Sequence, residues 1–383
     1  MADERLLNRP LVLCSVASLA HGISFNLFLH LPGFLNELGA GDVQIGFIFG
    51  VTGASAILSR PPIGRAMDTR GRRGVILAGN ALNTVVCALF LTVDSIGPWI
   101  YAIRVLHGIA EAMLFTALFT YAADWVPASR RTQGLALFGV SGMLSMSLGG
   151  LLGDLILTRW DYPALFQTAL GFSVLSFLAS LPLQDHDRVG AAEEEPSRGF
   201  AAALGQRDLL PLWWIGGVFA VALASVFAFL KRYVMETGLS SVGDFFTAYT
   251  GAAIFLRVFL GWLPDRIGPK RVLYPALLCL ALAFTLLGSA QTSRDVVIAG
   301  ALVGVGHGFT FPILFGMLVT RARDAERGSA MAIFTALFDL GVVIGGPLFG
   351  FVIDVGGFGA MFQTAAVAIG IGLMVFIFWD QSR

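Results

Sequence analysis

The stretch Arg60-Pro-Pro-Ile-Gly64-Arg-Ala-Met-Asp68-Thr-Arg-Gly71-Arg-Arg73 returns in the second half of the chain as Arg257-Val-Phe-Leu-Gly261-Trp-Leu-Pro-Asp265-Arg-Ile-Gly268-Pro-Lys-Arg271. Its Arg, Gly, Asp and Gly keep one constant offset. Two more pairs repeat with it: Arg131…Gly149-Gly150 with Arg327…Gly345-Gly346, and His107-Gly108…Leu114-Phe115 with His307-Gly308…Leu314-Phe315. The chain therefore reads as two related halves. In both copies the charged tail of the motif follows an apolar run, so the halves enter the membrane in the same sense. Parallel repeats of this kind are related by an axis along the membrane normal.

Composition carries the membrane reading. Of 383 residues, 56% are hydrophobic and 13% charged, with a mean hydropathy of +0.78. A soluble domain carries about 25% charged residues, so this chain lacks the charge to solvate a globular surface. A soluble enzyme is excluded, and the zero net charge offers no bulk field for nucleic acid. Cys14, Cys87 and Cys279 lie singly in apolar runs and suggest neither a disulfide framework nor a metal site. No phosphate-binding Gly-rich loop with Lys-Ser/Thr is present, so neither a nucleotide nor another cofactor is expected.

A helix needs about 20 apolar residues to cross the hydrocarbon core. Twelve segments qualify, at 10–33, 43–64, 75–93, 97–122, 132–157, 162–182, 208–232, 242–263, 272–290, 296–319, 328–353 and 357–379. The polar stretch 184–207, with its acidic run Glu193–Glu195, reads as a linker. The expected organisation is an all-α polytopic membrane protein: a six-helix bundle at 1–183, a linker at 184–207 and a second six-helix bundle at 208–383. With the N-terminus inside, eighteen Arg and Lys fall in inner segments against four in outer loops. That bias predicts cytoplasmic termini in a cell (inner) membrane.

Gly64-x-x-x-Asp68-x-x-Gly71-Arg72-Arg73 resembles the signature loop of the major facilitator superfamily, and the copy at Gly261–Gly268 resembles its second-half counterpart. Arg104-x-x-x-Gly108 in segment 4 is similar to a motif of the proton-coupled efflux branches. The resemblance implies the twelve-helix fold, a monomer working by alternating access, and a cytoplasmic gate at Asp68, Arg72, Asp265 and Arg266. It implies that Asp68 contacts the start of segment 11 and, by pseudosymmetry, that Asp265 faces the start of segment 5.

Ionisable groups at bilayer depth are costly and mark function by default. Arg104, His107 and Glu111 share one face of segment 4; Glu111, Asp339, His307 and His21 are central in their segments. The proton-coupling candidates are Glu111 and Asp339, with Arg104 and His307 as their electrostatic partners. In the family, segments 1, 4, 7 and 10 line the cavity, so the substrate candidates are His21, Asn26, His30, His107, Phe115, Phe309 and Lys231. The leading expectation is proton-coupled efflux of a small organic molecule by antiport. The alternative is an uptake symporter or uniporter for a small organic anion. A remote third is a copper permease, using His21, His107, His307 and scattered methionines.

Overall fold

The computed structural model describes residues 6–185 and 199–380, whose regular structure is all helix, with no strand among them. Most of the expected linker lies outside the described residues. Its last part is not plain linker, because Phe200–Leu204 forms a short helix ahead of a 3-10 turn at Arg207–Leu209.

The helices are α1 (Arg9–Asn26), α2 (Leu31–Glu37), α3 (Asp42–Arg70), α4 (Arg72–Phe90), α5 (Pro98–Trp125), α6 (Arg131–Leu157), α7 (Tyr162–Ser180), α8 (Phe200–Leu204), α9 (Leu210–Thr237), α10 (Val242–Phe259), α11 (Leu263–Ile267), α12 (Pro269–Gly288), α13 (Ser293–Arg321) and α14 (Arg327–Trp379). Among the described residues, 10 helices are long and apolar enough to cross a membrane. Two departures separate that number from the twelve segments. The 29-residue α3 covers the second segment and is not one of the ten. Segments 11 and 12 form one continuous run, α14, broken at Gly357, whose φ of 76° leaves the helical region.

Local sequence sets where helices begin. Asn8 accepts from the Leu11 N–H ahead of Pro10, and Asp161 accepts from Ala164 N–H ahead of Pro163, both N-caps followed by a proline in the first turn. Thr292 and Asp295 form a reciprocal capping box at the start of α13. The signature glycines have a backbone reason: Gly71 turns α3 into α4 at φ 83°, and Gly268 turns α11 into α12 at φ 105°. A side chain at either position would be strained.

Two compact units emerge. The first holds the residues up to Pro127, Phe138–Ala201 and Arg323–Ile333; the second holds Ala128–Leu137, Ala202–Ala322 and the chain from Phe334. The opening turns of α6 and α14 thus each belong to the unit opposite the rest of their helix.

In the first unit α1 packs on α5 and α7, and α5 on α3 and α4. Phe28, Phe90 and Phe166 cluster at its core, with ring centroids 4.6 to 5.7 Å apart. A polar seam joins α1, α4 and α7. Asn83 donates to Ser173 at 2.8 Å, Asn80 to Ser180 at 3.1 Å, and Ser24 and Ser176 donate to the carbonyls of Ala169 and Ala17. Small residues with interhelical hydrogen bonds suit a bilayer, where lipid tails already match the apolar side chains. In the second unit α13 packs between α10 and α12, and Phe311, Phe315, Phe334 and Phe338 form its aromatic core.

Candidate substrate cavity and signature-loop network

A cavity of about 230 Å³ lies in the first unit between α1, α5 and α6. His21, Phe25 and Asn26 of α1 line it, with Glu111, Phe115 and Phe119 of α5 and Ser145 and Met146 of α6. Across it His21 Nε2 lies 2.9 Å from Glu111 Oε2. His21 is 5% exposed, and its Nδ1 is buried without a hydrogen-bond partner among the described residues. Asn26 donates to the Gly22 carbonyl and reaches Ser145 at 3.5 Å.

The partner of Glu111 corrects the sequence expectation. Arg104 and Glu111 share a helix face, but Arg104 points to its own surroundings: His107 Nδ1 at 3.0 Å, the Ile48 carbonyl at 3.4 Å and the Phe49 ring at 4.8 Å. His107 likewise does not line this cavity. It is wholly buried, with Phe25, Phe28 and Phe90 set edge-on at 5.2, 4.7 and 6.0 Å. His30 sits where α1 tightens into the 3-10 turn Leu27–His30, and its Nε2 meets the Gly150 carbonyl at 3.2 Å. Of the seven expected cavity residues, His21, Asn26 and Phe115 line this cavity. Phe309 is buried in α13 and Lys231 is exposed on the last turns of α9, both in the second unit.

His307 finds Tyr249, whose hydroxyl lies 2.5 Å from its Nδ1, and the rings of Phe219 and Phe311. Asp339 is half-buried on α14. Among the described residues no group of three or more His, Cys, Asp or Glu is placed to hold a metal ion.

The signature loops build a second constellation. Asp68 Oδ1 accepts from Gly328 N–H at 2.6 Å, and Oδ2 accepts from Ser329 N–H at 3.0 Å and Ser329 Oγ–H at 2.6 Å. The carboxylate therefore caps the first turn of α14, where its charge meets the positive end of the helix dipole. Gly64 permits this approach, since a Cβ there would fall 2.8 Å from Ser329 Cα. In the second unit Asp265 accepts from Thr132 N–H at 3.0 Å and Gln133 N–H at 2.8 Å, capping α6 in the same way. Both contacts join the residues that the resemblance paired.

Arg72 pairs with Asp124 at 2.8 Å and donates to the Met67 carbonyl, while Arg327 lies 3.7 Å from Asp124. Arg266, expected in the gate, is exposed and stacks on Trp262 at 5.6 Å, with no ion pair to a described residue. Sequence reasoning passed over Asp124, Asp185 and Asp380. Asp185 accepts from the N–H groups of Arg72 and Arg73, and Asp380 pairs with Lys270 and Arg321. The signal existed: each of the last two is the first acidic residue after the sixth segment of its half.

The model of the Major Facilitator Superfamily matches residues 11–245 and 237–383. The chain belongs to the major facilitator superfamily. A relative in Burkholderia mallei (strain SAVP1), named an uncharacterized MFS-type transporter, is 25% identical over 372 residues, covering 92% of this chain and 88% of its own. The fold matches the human organic anion transporter MFSD10 with a TM-score of 0.79 at 20% identity, covering 98% of this chain and 100% of that one. It matches the fucose:proton symporter of E. coli with a TM-score of 0.78 at 18% identity, covering 97% and 99%. At these identities the structures establish the fold alone. This superfamily member is a multi-pass membrane transporter that moves a small molecule by alternating access, and it is not an enzyme.

Proposed function

We propose that this transporter takes up a small organic anion together with a proton, with the His21–Glu111 pair of the first unit as the coupling element. The supporting observation is that pair, 2.9 Å across the wall of the cavity. Holding one proton the pair is neutral; holding two it is cationic and draws an anion; holding none it is anionic and repels one. Proton and anion then load together and leave together, which is symport. The named solved relatives, an organic anion transporter and a proton symporter, lean the same way. A cavity of about 230 Å³ also suits a metabolite better than a drug-sized molecule, for which pockets run to about 300–1,000 Å³.

Twelve crossings follow if α3 spans and α14 counts as two helices about Gly357, arranged as two six-helix bundles. The arginine-rich ends then face the cytoplasm of the inner membrane. There the Asp68 and Asp265 caps close the cytoplasmic side while the pair loads from outside, and they open for release. Asp339 and His307 are left as a secondary coupling site.

Proteoliposomes with an imposed pH gradient test the reading against radiolabelled mono- and dicarboxylates, with monosaccharides as the neutral series. Symport drives accumulation on the alkaline side, and antiport drives exit from it. Accumulation indifferent to the gradient means uniport and removes the coupling role of the pair.

A further inference from the structure

A recess of about 660 Å³ in the second unit is lined by five cationic side chains, Arg131, Arg266, Lys270, Arg271 and Arg321, and by one carboxylate, Asp265. That carboxylate is committed, because both its oxygens accept backbone N–H groups of α6. Lys270 and Arg321 both pair with Asp380, at 3.1 and 2.8 Å. Arg266 and Arg271 are exposed and form no ion pair with a described residue. Arg266 and Arg271 therefore give the recess exposed positive charge. An adjoining recess of about 390 Å³ shares Asp265 and Arg266 and adds Arg130 and Trp262.

The neighbouring surface says which anion the recess suits. Phe255 and Phe259 of α10 are 57% and 61% exposed with their rings 4.9 Å apart. They form an apolar stripe that runs down to Trp262 and ends at Arg266. Exposed aromatics of this kind sit against lipid tails, with Trp at the headgroup level.

We propose that this recess binds a phosphate-bearing anion, and that its source is the headgroup of an anionic phospholipid whose acyl chains lie along Phe255 and Phe259. Arg266 and Arg271 donate to the phosphate oxygens, and Lys270 and Arg321, held by Asp380, supply the field behind them.

The test uses the purified full-length transporter, titrated with phosphatidylglycerol, with phosphatidylcholine or with inorganic phosphate, and read by native mass spectrometry and thermal stability. Phosphatidylglycerol should bind and stabilise, and phosphatidylcholine should not. A juxtamembrane cation contributes about 5-fold to anionic-lipid affinity. Arg271→Gln should therefore weaken phosphatidylglycerol binding about 5-fold and Arg266→Gln/Arg271→Gln about 25-fold. The lipid-free melting temperature should stay unchanged in both variants. The charge-matched Arg65→Gln/Arg70→Gln pair, exposed in the first unit, should retain parental binding. Equal loss in the two double variants would mean diffuse electrostatics and overturn the site. Inorganic phosphate competing with the lipid at equal concentration would overturn the lipid source.

Discussion

Replacing Asp68 with Asn is the sharpest perturbation of the signature loop. The carboxylate accepts three hydrogen bonds, from Gly328 N–H, Ser329 N–H and Ser329 Oγ–H, spread over both oxygens. An amide keeps one of those oxygens and turns an NH₂ group toward a donor. At least one bond to a charged acceptor is lost, worth about 1.5–3 kcal/mol. The charge at the α14 N-terminus goes too, worth up to about 2 kcal/mol when partly buried. A loss of about 3 kcal/mol shifts the capped-to-uncapped ratio on the order of 100-fold. Ser329→Ala removes only the hydroxyl bond and should shift it about 10-fold. Asp265→Asn, with two backbone donors and a half-buried carboxylate, should fall between them. The assay is electron–electron distance measurement between spin labels at exposed Arg70 and Arg323, in a background without Cys14, Cys87 and Cys279. Asp68→Asn should broaden the distribution and lengthen its mean. Superimposable distributions in variant and parent, or a larger shift in Ser329→Ala than in Asp68→Asn, would refute the capping argument.

Glu111→Gln should abolish pH-gradient-driven accumulation in proteoliposomes while leaving solute counterflow in place, because the amide still hydrogen-bonds His21 but takes up no proton; retained accumulation would move coupling elsewhere. Gly149→Ala should lower the melting temperature by several degrees, since its Cβ would fall 2.5 Å from Asn26 Cβ and 3.0 Å from that residue's backbone carbon, whereas Gly150→Ala meets nothing within 4 Å and should be neutral. Equal melting temperatures would contradict the close α1–α6 approach. Single cysteines at exposed Asp94 and Ser95 should react with an impermeant thiol reagent applied to intact cells, and those at Arg65 and Arg70 should not. The reverse pattern would invert the proposed orientation.

Several conclusions needed only the order of residues. Membrane embedding follows from a hydropathy that charge cannot offset, and the doubling from a motif copied with its Arg, Gly, Asp and Gly in register. The contacts of Asp68 and Asp265 came through resemblance to a family rather than through spacing. Their geometry is local enough to survive in a motif, because each carboxylate stands at one helix end and caps another. The partner of Glu111 was beyond such reading. The sequence favours Arg104, which shares a face of α5 with Glu111, yet His21 makes the contact from α1, 90 residues away. Which side chains meet across two helices depends on how far each is rotated and at what depth it sits, and apolar segments constrain neither. The same reason hid the Asn–Ser seam between α4 and α7 and the burial of His107 among three phenylalanines. It also hid the basic recess, since its cations come from α6, α11, α12 and α13, and only packing brings those four pieces of chain together.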